Sequence, residues 1–312
     1  MIFEQRKVEC LLEAVTPVAH HQESIGNSAV IFRRKVRQPG GGWASVPYIT
    51  GDSIRHQLRE AIVYATLGAA GLLDSPKLSE GALRFMFSGG MLTERGEASV
   101  IKLDHYREMV EVLPFVALLG GCANSRVIPG RLSVNDALLV CRESAALIPA
   151  EVLEHAGTLD TCRAHVELTQ RVRMDPTLDP SKRELLSDEA RTSISRRADA
   201  SEAAHDADNA VARESSKSTM LPRTHEQIAA GSLFYWSVNA TCYSSTDVDT
   251  FDTMVGAFLA RAVVGGKRGT GHGALRCVRV TGGPGDGCEA RFVEHVAARS
   301  DRVKRFLGEV SA

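Results

Sequence analysis

The amino-acid sequence predicts an α+β fold, with one sheet backed by two long helices and interrupted by two insertions. Three observations carry this expectation. In Phe234–Tyr243 the residues Phe234, Trp236, Val238, Ala240 and Cys242 alternate with more polar neighbours, the period of a half-buried strand. Ile54, Leu58, Ile62 and Ala65 share one face of a helix, and 247–264 repeats that amphipathic spacing. Residues 171–223 hold ten basic and ten acidic side chains in 53 positions, and no aromatic residue occurs from Val116 to Ser232. Such a stretch supplies little core and reads as an excursion from the globule.

Each element follows in order. Lys7–Val15 mixes apolar and β-branched residues with polar ones and is closed by Pro17, which predicts a strand. His20–Ile49 has little periodicity, much charge and the run Gly40-Gly41-Gly42, so a long loop or irregular hairpin is expected. Thr50 is placed to cap a helix, with Asp52 in its first turn opposing the helix dipole. Residues 70–125 read as an irregular helical insertion containing the apolar run VLPFVALLGG. Arg131–Glu143 predicts a second strand or hairpin, and Pro149–His155 a short helix. Beyond the 234–243 strand and the 247–264 helix come the loop GGKRGTGHG, a strand over Ala274–Val280 and a C-terminal helix over Glu289–Leu307. Without its insertions the order is strand, helix, strand, strand, helix, strand, which is the ferredoxin-like (RRM-like) plan of RNA-recognition domains. The expected core is 1–69, 126–160 and 232–312, with a helical insertion at 70–125 and an extended, flexible insertion at 161–231.

Composition narrows the function classes. A chain of 312 residues with 44% hydrophobic content forms one large domain or two ordinary ones. The seven cysteines form no Cys-x-x-Cys pair and are odd in number, which argues against a disulfide framework or zinc knuckle and for a reducing compartment. The start MIFEQRKVEC has no signal-peptide apolar region, and no run reaches the roughly 18 apolar residues of a membrane span, so a cytoplasmic protein is expected. The net charge of −1 argues against a nucleic-acid partner, but its distribution argues the other way. Arg33, Arg34, Lys35, Arg37, Arg55 and Arg59 face only Asp52 between positions 33 and 59. Arg261, Lys267, Arg268, Arg276 and Arg279 face no acid between 261 and 280. Two basic clusters at loop junctions suit a polyanion tracked over distance.

Three motifs bear on chemistry. The loop Gly265–Gly273 lets backbone approach phosphate closely, and Lys267, Arg268 and His272 inside it favour anion contact over a plain helix-to-strand connection. It follows a helix and lacks Gly-Lys-Ser/Thr, so it is neither a Walker A loop nor a Rossmann fingerprint. Gly51-Asp52-Ser53-Ile54 invites a GDS-type serine esterase reading, but no histidine follows an aspartate at the spacing such enzymes use for their base, which leaves Ser53 a capping residue. His20, His21, His105, His155 and His165 show no metal-ligand spacing with a nearby acid, so no metal and no cofactor is expected.

Together these residues resemble the repeat-associated RNA-binding (RAMP) superfamily of CRISPR systems, and within it the Cas-seven type backbone subunit. Val46-Pro47-Tyr48-Ile49-Thr50-Gly51-Asp52-Ser53-Ile54-Arg55-His56-Gln57-Leu58-Arg59 resembles the family's helix start, and Gly265–Gly273 its C-terminal glycine-rich loop. The excursion before Gly231-Ser232-Leu233-Phe234 sits where the family carries a thumb hairpin. Ile25-Gly26-Asn27 followed by Phe32-Arg33-Arg34-Lys35-Val36 resembles the type IV group. Type III relatives carry a catalytic aspartate where Asn27 aligns, and an amide cannot replace a carboxylate in proton or metal chemistry, so the resemblance implies a non-catalytic subunit.

It further implies copies stacked head-to-tail along a guide RNA (crRNA), beside other effector subunits and a target nucleic acid, DNA or RNA, read by base pairing. The RNA-binding residues it implies are Asn27, Arg33, Arg34, Lys35, Arg37, Ser53, Arg55, His56, Arg59, Gly266, Lys267, Arg268 and His272. Arg171, Arg173, Arg191, Arg196 and Arg197 would belong to the thumb. A ribonuclease of the same superfamily, cutting target RNA or processing the guide, is the alternative, with the esterase third.

Overall fold

In the computed structural model, which describes residues 3–25, 28–74, 78–90, 102–123, 126–171, 180–196 and 223–309, the chain divides into two units. The first comprises Met1–His20, Ile31–Glu167 and Ile228–Ala312, and the second His21–Val30 and Leu168–Gln227.

Strand β1 (Glu4–Ala14) opens the chain, and Val8, Cys10, Leu12 and Ala14 on its even face are buried. The segment expected to be a long loop or an irregular hairpin holds four strands: β2 (His21–Ile25), β3 (Ser28–Ile31), β4 (Arg33–Arg37) and β5 (Trp43–Ile49). Pairs from Arg33 opposite Pro47 to Arg37 opposite Trp43 make β4 and β5 a hairpin. Its glycine turn is closed by Gln38 N donating to Gly42 O at 3.2 Å and Gly41 N to Gln38 O at 3.0 Å. Helix α1 (Gly51–Ala69) then starts at its Thr50 cap and buries Ile54, Leu58 and Ile62. The insertion is helical as read, with α2 (Glu80–Ser88), α3 (Leu103–Val112) and α4 (Phe115–Leu119), and a ribbon of β6 (Gly121–Ala123) and β7 (Arg126–Ile128) follows.

The 131–143 segment is one strand broken in two, β8 (Leu132–Val134) and β9 (Ala137–Leu139). The two halves lie along the same edge of β12 (Leu233–Cys242), Val134 opposite Val238 and Leu139 opposite Phe234, and Asn135-Asp136 form the bulge between them. A short α5 (Ala150–Leu153) covers the face of the sheet that the long helices leave, closing a small apolar cluster of Leu11, Val140 and Ile148. Helix α8 (Ser245–Ala260) ends before the predicted Val264, because Val263 bridges to Ala274 and Val264 N donates to Gly273 O. Strand β13 (Leu275–Thr281) follows, and the predicted single C-terminal helix is two, α9 (Cys288–Ala297) and α10 (Ser300–Glu309).

The sheet of the first unit runs β13-β1-β12-β9-β5-β4, antiparallel throughout these pairings, with β8 paired to β12 in line with β9. Trp236 on β12 meets Phe258 on α8 edge-to-face at 5.2 Å, and both long helices pack in this core. Two ion pairs, each with a buried aspartate and a half-buried arginine, fix α8. The Arg131 guanidinium reaches Asp247 at 2.8 Å and lies 4.5 Å over the Tyr243 ring, while Arg6 grips both Asp252 oxygens at 2.7 and 2.8 Å.

In the second unit β10 (Val166–Arg171), β11 (Arg223–Ile228), β3 and β2 form a four-stranded sheet in that order, with β11 parallel to β3. Two helical segments, α6 (Pro180–Arg183) and α7 (residues 188–196), lie in its long excursion. All seven cysteines are free thiols, and among the described residues no helix is long and apolar enough to cross a membrane.

Candidate nucleic-acid interface

The N-terminus of α1 is pinned from three sides. The Thr50 hydroxyl accepts from Ser53 N at 3.3 Å, and Gly51 N donates to Asp136 Oδ1 at 2.7 Å, which sets a carboxylate against the positive end of the helix. Gly51 is required by close approach: a Cβ there would lie 2.5 Å from the Val134 carbonyl oxygen. His20 Nε2 accepts from Thr50 N at 3.2 Å and lies 3.0 Å from Thr50 Oγ1. Phe32 stacks on the His20 ring at 4.6 Å and meets Tyr48 edge-on at 5.9 Å. Arg34 lies 5.7 Å over Tyr48 and pairs with Asp136 at 3.2 Å. Beside it opens a polar cleft of about 420 Å³, lined also by Asn135, Tyr235 and Ser237. Along α1, Asp52 and His56 are exposed, Ser53 and Glu60 half-buried, and the enclosed Gln57 Nε2 has no hydrogen-bond partner among the described residues.

The glycine-rich loop is docked at its base and open at its tip. Gly266 N donates to Ala19 O at 2.8 Å and Gly273 N to Pro17 O at 2.9 Å. Gly273, at φ +86, would place a Cβ 1.9 Å from Val264 O, so it is structurally obligatory. At the tip, a Cβ on Gly269 or Gly271 would meet nothing within 4 Å among the described residues. Lys267 alone among the described non-glycine residues has a positive φ, +59, and Arg268 lies 3.9 Å from Glu60 on α1. The loop thus sets Arg268 beside Glu60, one and two turns along α1 from His56 and Ser53.

Some predicted contacts point elsewhere. Arg59 is buried, donating to the Gly120 carbonyl at 2.9 Å, and burial first, then the neighbouring Arg55, pushes its pKa down to about 10. Arg55 donates to the Leu119 and Leu132 carbonyls at 2.6 and 3.1 Å, with its pKa lowered by burial. Both tie α1 to the end of α4 and the start of β8 instead of facing a ligand, so the charge count over 33–59 overstated the surface cluster. His272 is likewise buried, its Nδ1 turned towards Thr270 at 3.3 Å.

On the β4–β5 hairpin, Arg33, Lys35 and Arg37 share a face with Pro47, Ser45 and Trp43, while Val36 and Val46 point into the core. Arg191 and Arg196 are exposed on α7 of the second unit, Arg191 at 3.9 Å from Asp188. Asn27, Arg173 and Arg197 lie outside the described residues, as does the side chain of Arg171. Among the described residues no three His, Cys, Asp or Glu side chains are grouped to hold a metal ion. Sequence reasoning passed over Asp136 and Trp43. Asp136 sits at a bulge that no periodicity marks, and Trp43 follows the glycine run as a lone aromatic.

No protein-family model matches the chain, and no curated protein matches it. A solved structure titled "Type IV-B CRISPR Complex" is similar in fold, with a TM-score of 0.51 and 18% sequence identity over 88% of this chain and 90% of that one.

Proposed function

We propose that this chain is a guide-RNA-binding backbone subunit of a type IV CRISPR effector complex, non-catalytic, assembling in copies along the guide beside other subunits. The observation that carries the reading is a loop docked at its base and open at its tip that carries Lys267 and Arg268, with Arg268 beside Glu60 of α1. A backbone loop with cations at its tip grips phosphate without reading bases, which is what a subunit serving any guide requires. The likeness of fold to a type IV-B CRISPR complex structure supports the same reading. So does the order β13-β1-β12-β8/β9 with α1 and α8 as its connections, which fits a ferredoxin-like core. In this reading the second unit, with Arg191 and Arg196, supplies the thumb.

Binding of a dye-labelled RNA to the purified chain, followed by anisotropy across a salt series, tests the reading. The expected result is tight binding that falls steeply with salt and is weakened alike for all sequences by Arg33→Glu or Lys267→Glu. Absence of salt-sensitive RNA binding, for the chain alone and with its sister subunits, overturns it.

A further inference from the structure

The β4–β5 hairpin carries chemistry that phosphate gripping leaves unused. Its inner face, with Val36 and Val46, is buried, so the alternation of the strands puts Lys35, Arg37, Trp43 and Ser45 together on the outer one. Trp43 is 64% exposed, which is unusual for a large indole in a chain with only two tryptophans. The Arg37 guanidinium lies 5.9 Å from its ring centroid, which covers one region of the indole and helps fix its orientation. No acidic residue occurs from Arg33 to Ile49. Among the described residues β4 is also the last strand of this sheet, with no further strand on its outer edge.

We propose that this face is a stacking platform for single-stranded nucleic acid, with a base laid on Trp43 and the flanking phosphates on Lys35 and Arg37. The proposal rests on the RNA-binding reading above and adds a contact of a different kind. Alternate residues of a strand lie roughly 7 Å apart, a spacing that lets cations at 35 and 37 follow successive phosphates of an extended chain. An indole face accepts any base, but only one that is not enclosed in a duplex, so the partner is single-stranded and the contact tolerant of sequence. A protein partner would also value an exposed tryptophan beside arginine. Lys35 and Arg37 on one face, in a stretch with no acidic residue from Arg33 to Ile49, favour a polyanion instead.

The two tryptophans make the test direct. Trp236 is fully buried, so a change of indole emission on adding a short oligouridine reports on Trp43. The purified full chain, freed of bound nucleic acid by high salt, is titrated with dye-labelled oligouridine, and anisotropy and tryptophan emission are read together. The expected result is binding with quenched emission. Trp43→Phe should keep most of the affinity and lose the quench, and Trp43→Ala should weaken binding roughly tenfold with an unchanged thermal midpoint. Lys35→Gln should lower the slope of log affinity against log salt by about one.

If oligouridine binds with no change in emission, or Trp43→Ala binds as tightly as the parent, the platform is overturned and the RNA-binding reading stands. If the chain binds no RNA, both fall. Emission that shifts only on adding a sister subunit makes the face a protein contact and overturns the platform too.

Discussion

Lys267 shows how single residues separate stability from function here. An L-residue held at φ +59 costs about 1–2 kcal/mol that glycine would not. Lys267→Gly should therefore leave the thermal midpoint the same or higher while weakening RNA binding, a split that calorimetry and anisotropy read side by side. The loop's glycines divide likewise. Gly273→Ala, with no room for a Cβ, should destabilise by about 2 kcal/mol or more, whereas Gly269→Ala should stay within about 0.5 kcal/mol, by urea unfolding.

On the face of the sheet that α5 covers, Tyr235 donates to Glu9. That bond first, with help from Lys7, holds the Glu9 carboxyl below its ordinary value, while burial and then Glu9 push the Tyr235 phenol up to about 12. A carboxyl lowered on folding contributes stability above its unfolded value and loses it as pH falls through the folded one. A phenol raised on folding contributes below its unfolded value and loses it as pH rises through about 12. Tyr235→Phe should flatten both limbs of the melting-temperature profile, at a cost of about 1–2 kcal/mol at neutral pH.

At the scale of elements, the cap of α1 bears more than one load. Thr50→Ala removes both the bond to Ser53 N and the hydroxyl that meets His20, so it should cost about 1–2 kcal/mol in urea unfolding. This helix was legible in the sequence, as were β1, β12 and α8, because each is long and has one dry face whose period survives its neighbours. The β4–β5 hairpin was legible only as one of two alternatives, a loop or an irregular hairpin. Arg33, Arg34, Lys35 and Arg37 are polar on both faces of the strand, so Val36 alone signals its inner side. The β8–β9 strand was blurred by its bulge, which shifts the alternation by one residue and leaves an unbroken apolar run in Ala137–Leu139. Sequence also located the glycine-rich loop and the start of α1 but not the direction of Arg55 and Arg59. Charge counts say nothing about which way a guanidinium turns, and the carbonyls at the end of α4 and the start of β8 claimed them.

For the whole molecule, placement of charge matters more than its total. The chain sums to −1, yet its two basic clusters are local excesses. The fold narrows the first to the outer hairpin face and presents the second at the tip of a docked loop. Such a molecule is steered to a polyanion by parts of its surface while the acidic remainder stays available for other contacts.

The central claim, that the chain binds guide RNA as part of an effector complex, is met most directly by recovering and sequencing the nucleic acid that co-purifies with it when expressed beside its sister subunits and a repeat array. The account predicts RNA with a constant, repeat-derived end joined to variable spacers. A complex that assembles without nucleic acid, or RNA with no relation to the array, would contradict it.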